Sequence, residues 1–142
     1  MEQASSTEWS DQAKEAMIHL DANILMRLSV AGSTAAVRLR EWLLAGEMLA
    51  ASAPAWFEYI SGPVTVQEIA HAEAVLQGGI VEFTRNESKG AADLFNLTGR
   101  KRSMKLDCMI AASALLAGAR LATSNTGDFL PFVTCGLQVE AV

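Results

Sequence analysis

Apolar and polar positions along this chain fall into blocks that read as strands and helices in turn. Met17-Ile18-His19-Leu20-Asp21 is a short apolar run ending in an acid, the pattern of a central parallel strand that delivers a residue at its carboxyl edge. Behind it Ile24, Leu25, Leu28, Val37, Leu39, Leu43 and Leu44 recur at mostly helical intervals as far as Gly46, with Asn23 available as a cap and a break near Gly32-Ser33. Met48 to Ala51 is a second apolar run, and Pro54, tolerated in a first helical turn, puts Glu58 on a short helix. Thr65 with Glu68 three residues on forms a capping-box pattern, and the helix it opens extends to Gly78-Gly79. Ile80 to Phe83 reads as a strand, Glu87 to Leu97 as a helix and Thr98 to Ser103 as a basic loop. Leu106 to Gly118 is alanine-rich and apolar all round, which predicts a buried helix stopped by its glycine. A strand from Ala119 to Thr123, a polar loop from Ser124 to Phe129 and a last strand from Leu137 to Val142 complete the chain. Strands alternating with helices predict an α/β fold, a three-layer α/β/α sandwich around a central, mainly parallel sheet.

The bulk properties narrow the classes. With 142 residues, 51% hydrophobic and 19% charged, the chain suits one globular domain. Residues 1–16 are polar and without strong period, so they are expected to be an extension ahead of a domain spanning 17–142, with Met17 a second candidate for the start of translation. The first residues lack the basic start and apolar run of a secretory signal, and no apolar stretch reaches the roughly 20 residues of a membrane span. A cytoplasmic protein without membrane contact is the expectation. Cys108 and Cys135 belong to no paired-cysteine motif and read as structural thiols. The net charge of −5 excludes nucleic-acid binding by a broad basic footprint, so any such contact is local.

Chemistry enters through four acids. Sites in open α/β sheets form at the carboxyl ends of strands. Asp21 ends the first strand, Asp128 lies in the loop after Thr123, Glu58 follows the second strand, and Asp107 lies near the start of the buried helix. Convergent carboxylates repel one another unless a cation shares the site. Oxygen ligands without His or Cys suit Mg²⁺ or Mn²⁺, ions that support phosphodiester hydrolysis. The densest basic run, Arg100, Lys101, Arg102 and Lys105, is a candidate phosphate clamp beside the acids. Arg100, Arg102, Lys105, Asn23 and Thr123 are therefore the expected substrate contacts. His19, Trp42, Trp56 and Phe57 read as packing residues rather than as chemistry.

These segments carry a resemblance. Met17-Ile18-His19-Leu20-Asp21-Ala22-Asn23-Ile24-Leu25 resembles the opening of a PIN-domain ribonuclease, in particular the VapC toxins of bacterial toxin–antitoxin pairs. Pro54-Ala55-Trp56-Phe57-Glu58 is similar to the family's second acidic position, Lys105 to Ala112 to its third, and Thr123-Ser124-Asn125-Thr126-Gly127-Asp128-Phe129 to its fourth. The resemblance implies that Asp21, Glu58, Asp107 and Asp128 bind Mg²⁺ or Mn²⁺ and that Asn125 orders the pocket or a water. It leaves open which of Asn125 and Asp128 stands nearer the metal. It further implies a homodimer, a cognate antitoxin that masks the site, and structured RNA, often transfer RNA, as substrate. Three alternatives stand beside it. One is a haloacid-dehalogenase-type phosphatase, whose second acid would fall where Asn23 stands. Another is a PIN-like interaction module without nuclease activity, and the third is DNA as substrate.

Overall fold

The computed structural model describes residues 17–142, so the expected extension, residues 1–16, lies outside the described residues. Five strands form one sheet, β1 (Met17–Leu20), β2 (Met48–Ser52), β3 (Ile80–Val81), β4 (Arg120–Thr123) and β5 (Val139–Ala141). Their order is β3-β2-β1-β4-β5, and every pairing is parallel. The chain winds outward from β1 to β3, then crosses back to place β4 on the other side of β1. A switch point thus lies between the carboxyl ends of β1 and β4, where open α/β sheets form their crevices.

Among the described residues seven α-helices connect the strands, α1 (Ala22–Arg27), α2 (Thr34–Leu44), α3 (Ala53–Ile60), α4 (Val66–Val75), α5 (Arg85–Leu97), α6 (Lys105–Ala117) and α7 (Thr126–Val133). Strand alternation sends their side chains to the two faces of the sheet. Ile18, Leu20, Leu49, Ala51 and Ala122 pack with Leu25 of α1, Leu39 and Trp42 of α2 and Ala72 of α4 on one face. Leu121 packs with Leu94 of α5, Ile110 and Ala111 of α6 and Phe129 and Phe132 of α7 on the other. The expected three layers follow from these two cores.

The boundaries depart from expectation where tertiary contacts outweigh local pattern. Helix α4 stops at Val75 rather than at Gly78, because the Gly78 N–H donates to the Leu49 carbonyl at 2.8 Å and so joins the edge of β2. A Cβ at Gly78 would stand 3.0 Å from that same carbonyl oxygen, so the close approach requires glycine. Strand β3 ends at Val81, and Phe83 packs into the second core instead of extending the strand. Helix α5 starts at Arg85, two residues early, with the Thr84 hydroxyl accepting from the Asn86 N–H. The largest correction concerns the loop expected from Ser124 to Phe129. Thr126–Val133 is helical, because Phe129 and Phe132, three apart, both enter the core. The buried helix α6 ends as expected, with Gly118 at φ +66° in the left-handed region.

Candidate active site

Asp21 follows directly on β1, and its N–H donates to the Ala122 carbonyl of β4 at 3.0 Å, carrying the pairing one residue past the strand. Its carboxylate is 4% exposed and almost fully engaged. Oδ1 accepts the Ala22 N–H at 2.8 Å, while Oδ2 accepts the Thr123 hydroxyl at 2.8 Å and the Asn23 amide at 3.2 Å. Asp21 is thus the cap of α1 and Asn23, expected in that place, is not. Asn23 instead ties the two strand ends together, its Oδ1 accepting the Ser124 N–H at 3.3 Å. The Thr123 hydroxyl also accepts the Asn125 N–H at 3.0 Å. Two strand ends and two loops are therefore locked around one aspartate.

Three helices bring the remaining acids. The Ser52 hydroxyl caps α3, with Pro54 in its first turn, and Glu58 follows one turn later, half-exposed. Asp107 stands half-buried in the first turn of α6, and Asp128 is exposed in the first turn of α7. Asp21, Glu58, Asp107 and Asp128 line one crevice of about 380 Å³ together with Asn23 and Asn125. Ser103, Leu106, Met26 and Phe129 complete its wall, and no lysine, arginine or histidine is among the lining residues.

The field in this crevice is negative. Burial first, then the negative charges of Asp21, Asp128 and Glu58, push the Asp107 carboxyl up from 3.8 to about 6. Glu58 is raised by burial and by Asp21. Asp21 is raised by burial and by Asp128, against the lowering effect of its hydrogen bonds. The four side chains share the crevice without closing on a point. Among the described residues, no group of three His, Cys, Asp or Glu side chains stands ready-made for an ion. In kind and in charge the donors nevertheless fit a hard divalent cation, since they are all oxygens and nothing basic among the lining residues offsets them.

The family model of the PIN domain matches residues 18–130, from β1 to α7. This chain belongs to the PIN domain family. The structure of FitAcB from Neisseria gonorrhoeae is similar to it with a TM-score of 0.64 and 22% identity, over 87% of this chain and 96% of the other. VapBC2 from Rickettsia felis, bound to a DNA fragment from its promoter, gives a TM-score of 0.65 at 18% identity over 89% and 98%. A toxin–antitoxin complex from Klebsiella pneumoniae gives 0.58 at 24% identity over 80% and 90%. No curated protein matches the sequence at a significant level.

Within this PIN domain the expected substrate contacts divide. Asn23 lines the crevice. Thr123 is wholly buried, its hydroxyl donates to Asp21, and it does not line the crevice. Arg100, Arg102 and Lys105 are exposed and do not line the crevice. The Arg100 guanidinium and the Lys105 ammonium instead stand over the Phe95 ring, 5.3 and 5.5 Å from its centroid. Ser103, one helical turn ahead of Asp107, is the residue of that loop that reaches the crevice, a spacing the sequence carried but whose meaning needed the 3-10 turn Arg102–Met104. His19 is buried in the sheet, with its imidazole pushed by desolvation down to about 4, consistent with packing rather than acid–base work. No helix of the described residues is long and apolar enough to cross a membrane.

Proposed function

We propose that this PIN domain is a Mg²⁺- or Mn²⁺-dependent endoribonuclease, the toxin of a toxin–antitoxin pair. The observation that carries the reading is the convergence of four carboxylates, from four separate segments, on one crevice whose lining holds no basic side chain. Asp21, Glu58, Asp107 and Asp128 would hold the ion, and Asn125 offers an amide beside them. When bound, such an ion neutralises phosphate charge, polarises the phosphodiester and lowers the pKa of a water. Asp21 can serve as the fixed point, because Thr123, Ala22 and Asn23 leave its carboxylate one orientation. Asp107, raised to about 6, stands above the ordinary carboxylate range, so a neighbouring cation would favour its charged form. Asp128 and Asn125, both exposed at the start of α7, stand where an incoming strand would arrive.

The partner reading rests on likeness and on surface. FitAcB, VapBC2 and the Klebsiella complex support an antitoxin as partner here. Met26 near the end of α1, Val30 in the turn after it, and Phe57 and Ile60 of the adjoining α3 are 42% to 64% exposed, an apolar surface suited to a masking segment, with Met26 lining the crevice. Homodimerisation and a cytoplasmic setting complete the proposal.

The test is cleavage of transfer RNA, other structured RNA and single-stranded DNA by the purified, partner-free protein. Expected are RNA products in Mg²⁺ or Mn²⁺, none in chelator, and none from Asp21→Asn or Asp107→Asn variants that keep the native circular dichroism. Full activity in either variant overturns the metal-site assignment. Inactivity of the native protein on all substrates in both metals favours the interaction module, and cleavage of DNA alone reassigns the substrate. Membership of the PIN family removes the haloacid-dehalogenase alternative.

A further inference from the structure

The first turn of α6 has two faces. Leu106 and Asp107, with Ser103 just ahead, line the acidic crevice. Lys105, Cys108 and Met109 occupy the i, i+3, i+4 face on the other side. With Ala91, Ala92 and Phe95 of α5 they line a second, largely apolar cleft of about 290 Å³. Small side chains at Ala91 and Ala92 leave it open, and the Phe95 ring forms one wall. The two cavities are thus separated by one helical turn.

The rim of this second cleft is basic in a chain with a net charge of −5. Lys105 lines it and Arg100 stands over its Phe95 wall, both exposed, and Lys101 and Arg102 are exposed in the same basic run of the sequence. Arg100 is held in place by its own backbone, being the non-glycine described residue with positive φ, at +59° beside Gly99 at +97°. Its guanidinium lies over Phe95 and donates to the Asn96 side chain. An aromatic wall, an apolar floor and cations at the mouth together match a nucleobase with its neighbouring phosphates.

We propose that this cleft is a nucleobase subsite. It rests on the ribonuclease reading of the neighbouring crevice and deepens it. A strand whose scissile phosphate lies among the acids crosses the first turn of α6 and inserts one flanking base against Phe95, while Arg100, Arg102 and Lys105 hold the adjoining backbone. The bases are thereby read by stacking, which tolerates any sequence, and the local cations replace the broad basic surface this protein lacks. A second copy of the chain is the competing occupant. The charge at the rim favours the polyanion.

The test measures RNA affinity, not cleavage, in the full-length Asp21→Asn protein with a fluorescently labelled single-stranded RNA oligonucleotide. Ala92→Phe fills the mouth of the cleft from an exposed helical position, and Phe95→Leu removes the ring while keeping its bulk. Each is expected to weaken binding about tenfold, the scale of losing one stacked base, with native circular dichroism retained; Ala92→Phe, at an exposed position, is the variant expected to leave the melting temperature unchanged. Oligonucleotides carrying a single abasic position, scanned along the strand, should lose the same factor at one position in the Asp21→Asn parent and lose nothing further in Ala92→Phe. Undiminished binding in both variants overturns the subsite. So does a change in sedimentation by Ala92→Phe with RNA affinity intact, which assigns the cleft to contact between copies. Absence of RNA binding by the parent itself overturns the ribonuclease reading and the subsite with it, a result distinct from a variant-specific null.

Discussion

A crevice that gathers four carboxylates is a source of instability when no cation shares it, and Asp107→Asn measures this directly. The Asp107 carboxyl is raised from 3.8 in the unfolded chain to about 6 in the fold. At ~1.4 kcal/mol per pH unit that gap corresponds to about 3 kcal/mol. Asp107 is only half-buried, so solvent screening reduces the cost to about 1.5 kcal/mol. The sign follows from proton linkage. Between pH 3.8 and about 6 the folded state holds the proton that the unfolded state has released, so stability falls as pH rises. The cost is fully present above about 6 and absent below 3.8. In chelator at neutral pH, Asp107→Asn should therefore melt about 4–8 °C above the native protein. The advantage should vanish on acidification through this window. His19 titrates in the opposite sense over an overlapping range, but it is common to both proteins and cancels in the difference. Addition of Mn²⁺ should reverse the order, because binding to the folded state raises the native protein's stability and the variant lacks a ligand. Differential scanning calorimetry across pH, with and without metal, reads all three effects. A variant that melts below the native protein in chelator at neutral pH, or whose advantage does not change with pH, would refute the repulsion argument.

The other predictions separate positioning from chemistry and from scaffold. Thr123→Val removes the hydroxyl that donates to Asp21 and accepts from Asn125; it should cost about 1–3 kcal/mol in chemical denaturation and cut cleavage at least tenfold, about 1.4 kcal/mol in the barrier, while Thr123→Ser restores both. His19→Leu removes a fully buried imidazole whose nitrogens have no partner, so cleavage should be unchanged. Because the native imidazole stays neutral down to about 4, the native protein loses stability as pH falls from 6.5 towards that value; His19→Leu should lack this loss in pH-dependent denaturation. Arg120 joins Glu47 and Glu140 at 2.6 Å each, at the amino-terminal end of β4 and away from the crevice. Arg120→Gln leaves the partly buried Glu47 without its cation, while Glu140 keeps Arg38 at 3.4 Å, and should lower stability by about 1–2 kcal/mol with kcat of the remaining folded protein intact.

What the sequence disclosed was uneven, and the unevenness has a physical pattern. Parallel strands buried on both faces are rich in apolar residues, so β1, β2 and the centre of β4 stood out as short runs, and the acid after β1 was legible as a strand-edge residue. The helix α6 was legible for the same reason, since a segment apolar all round can only be buried. The Ser124–Phe129 region was misread because its polar residues and glycine weigh toward a loop. The contacts of Phe129 and Phe132 that make it helical come from residues far along the chain. Local pattern likewise carried α4 too far, where the edge of β2 draws Gly78 out of the helix.

The same distinction governs the site. That four acids could converge followed from their places at strand ends, which the alternation of elements fixes. How they differ could not follow. Asp21 is nearly encased and hydrogen-bonded on both oxygens, Asp107 is half-buried and close to titrating near neutral pH, and Asp128 is exposed. Asp21 owes its setting to Asn23, two residues on, and to Thr123 and the loop behind β4, roughly a hundred residues away, while Asp107 is raised by burial and by the other acids; no local spacing encodes the long-range part. They also divide the labour of the proposed nuclease. In that proposal the rigid acid would fix the place of a cation, and the half-buried acid would make its binding sensitive to pH. The exposed residues of α7 and the basic rim over Phe95 are left to meet the strand.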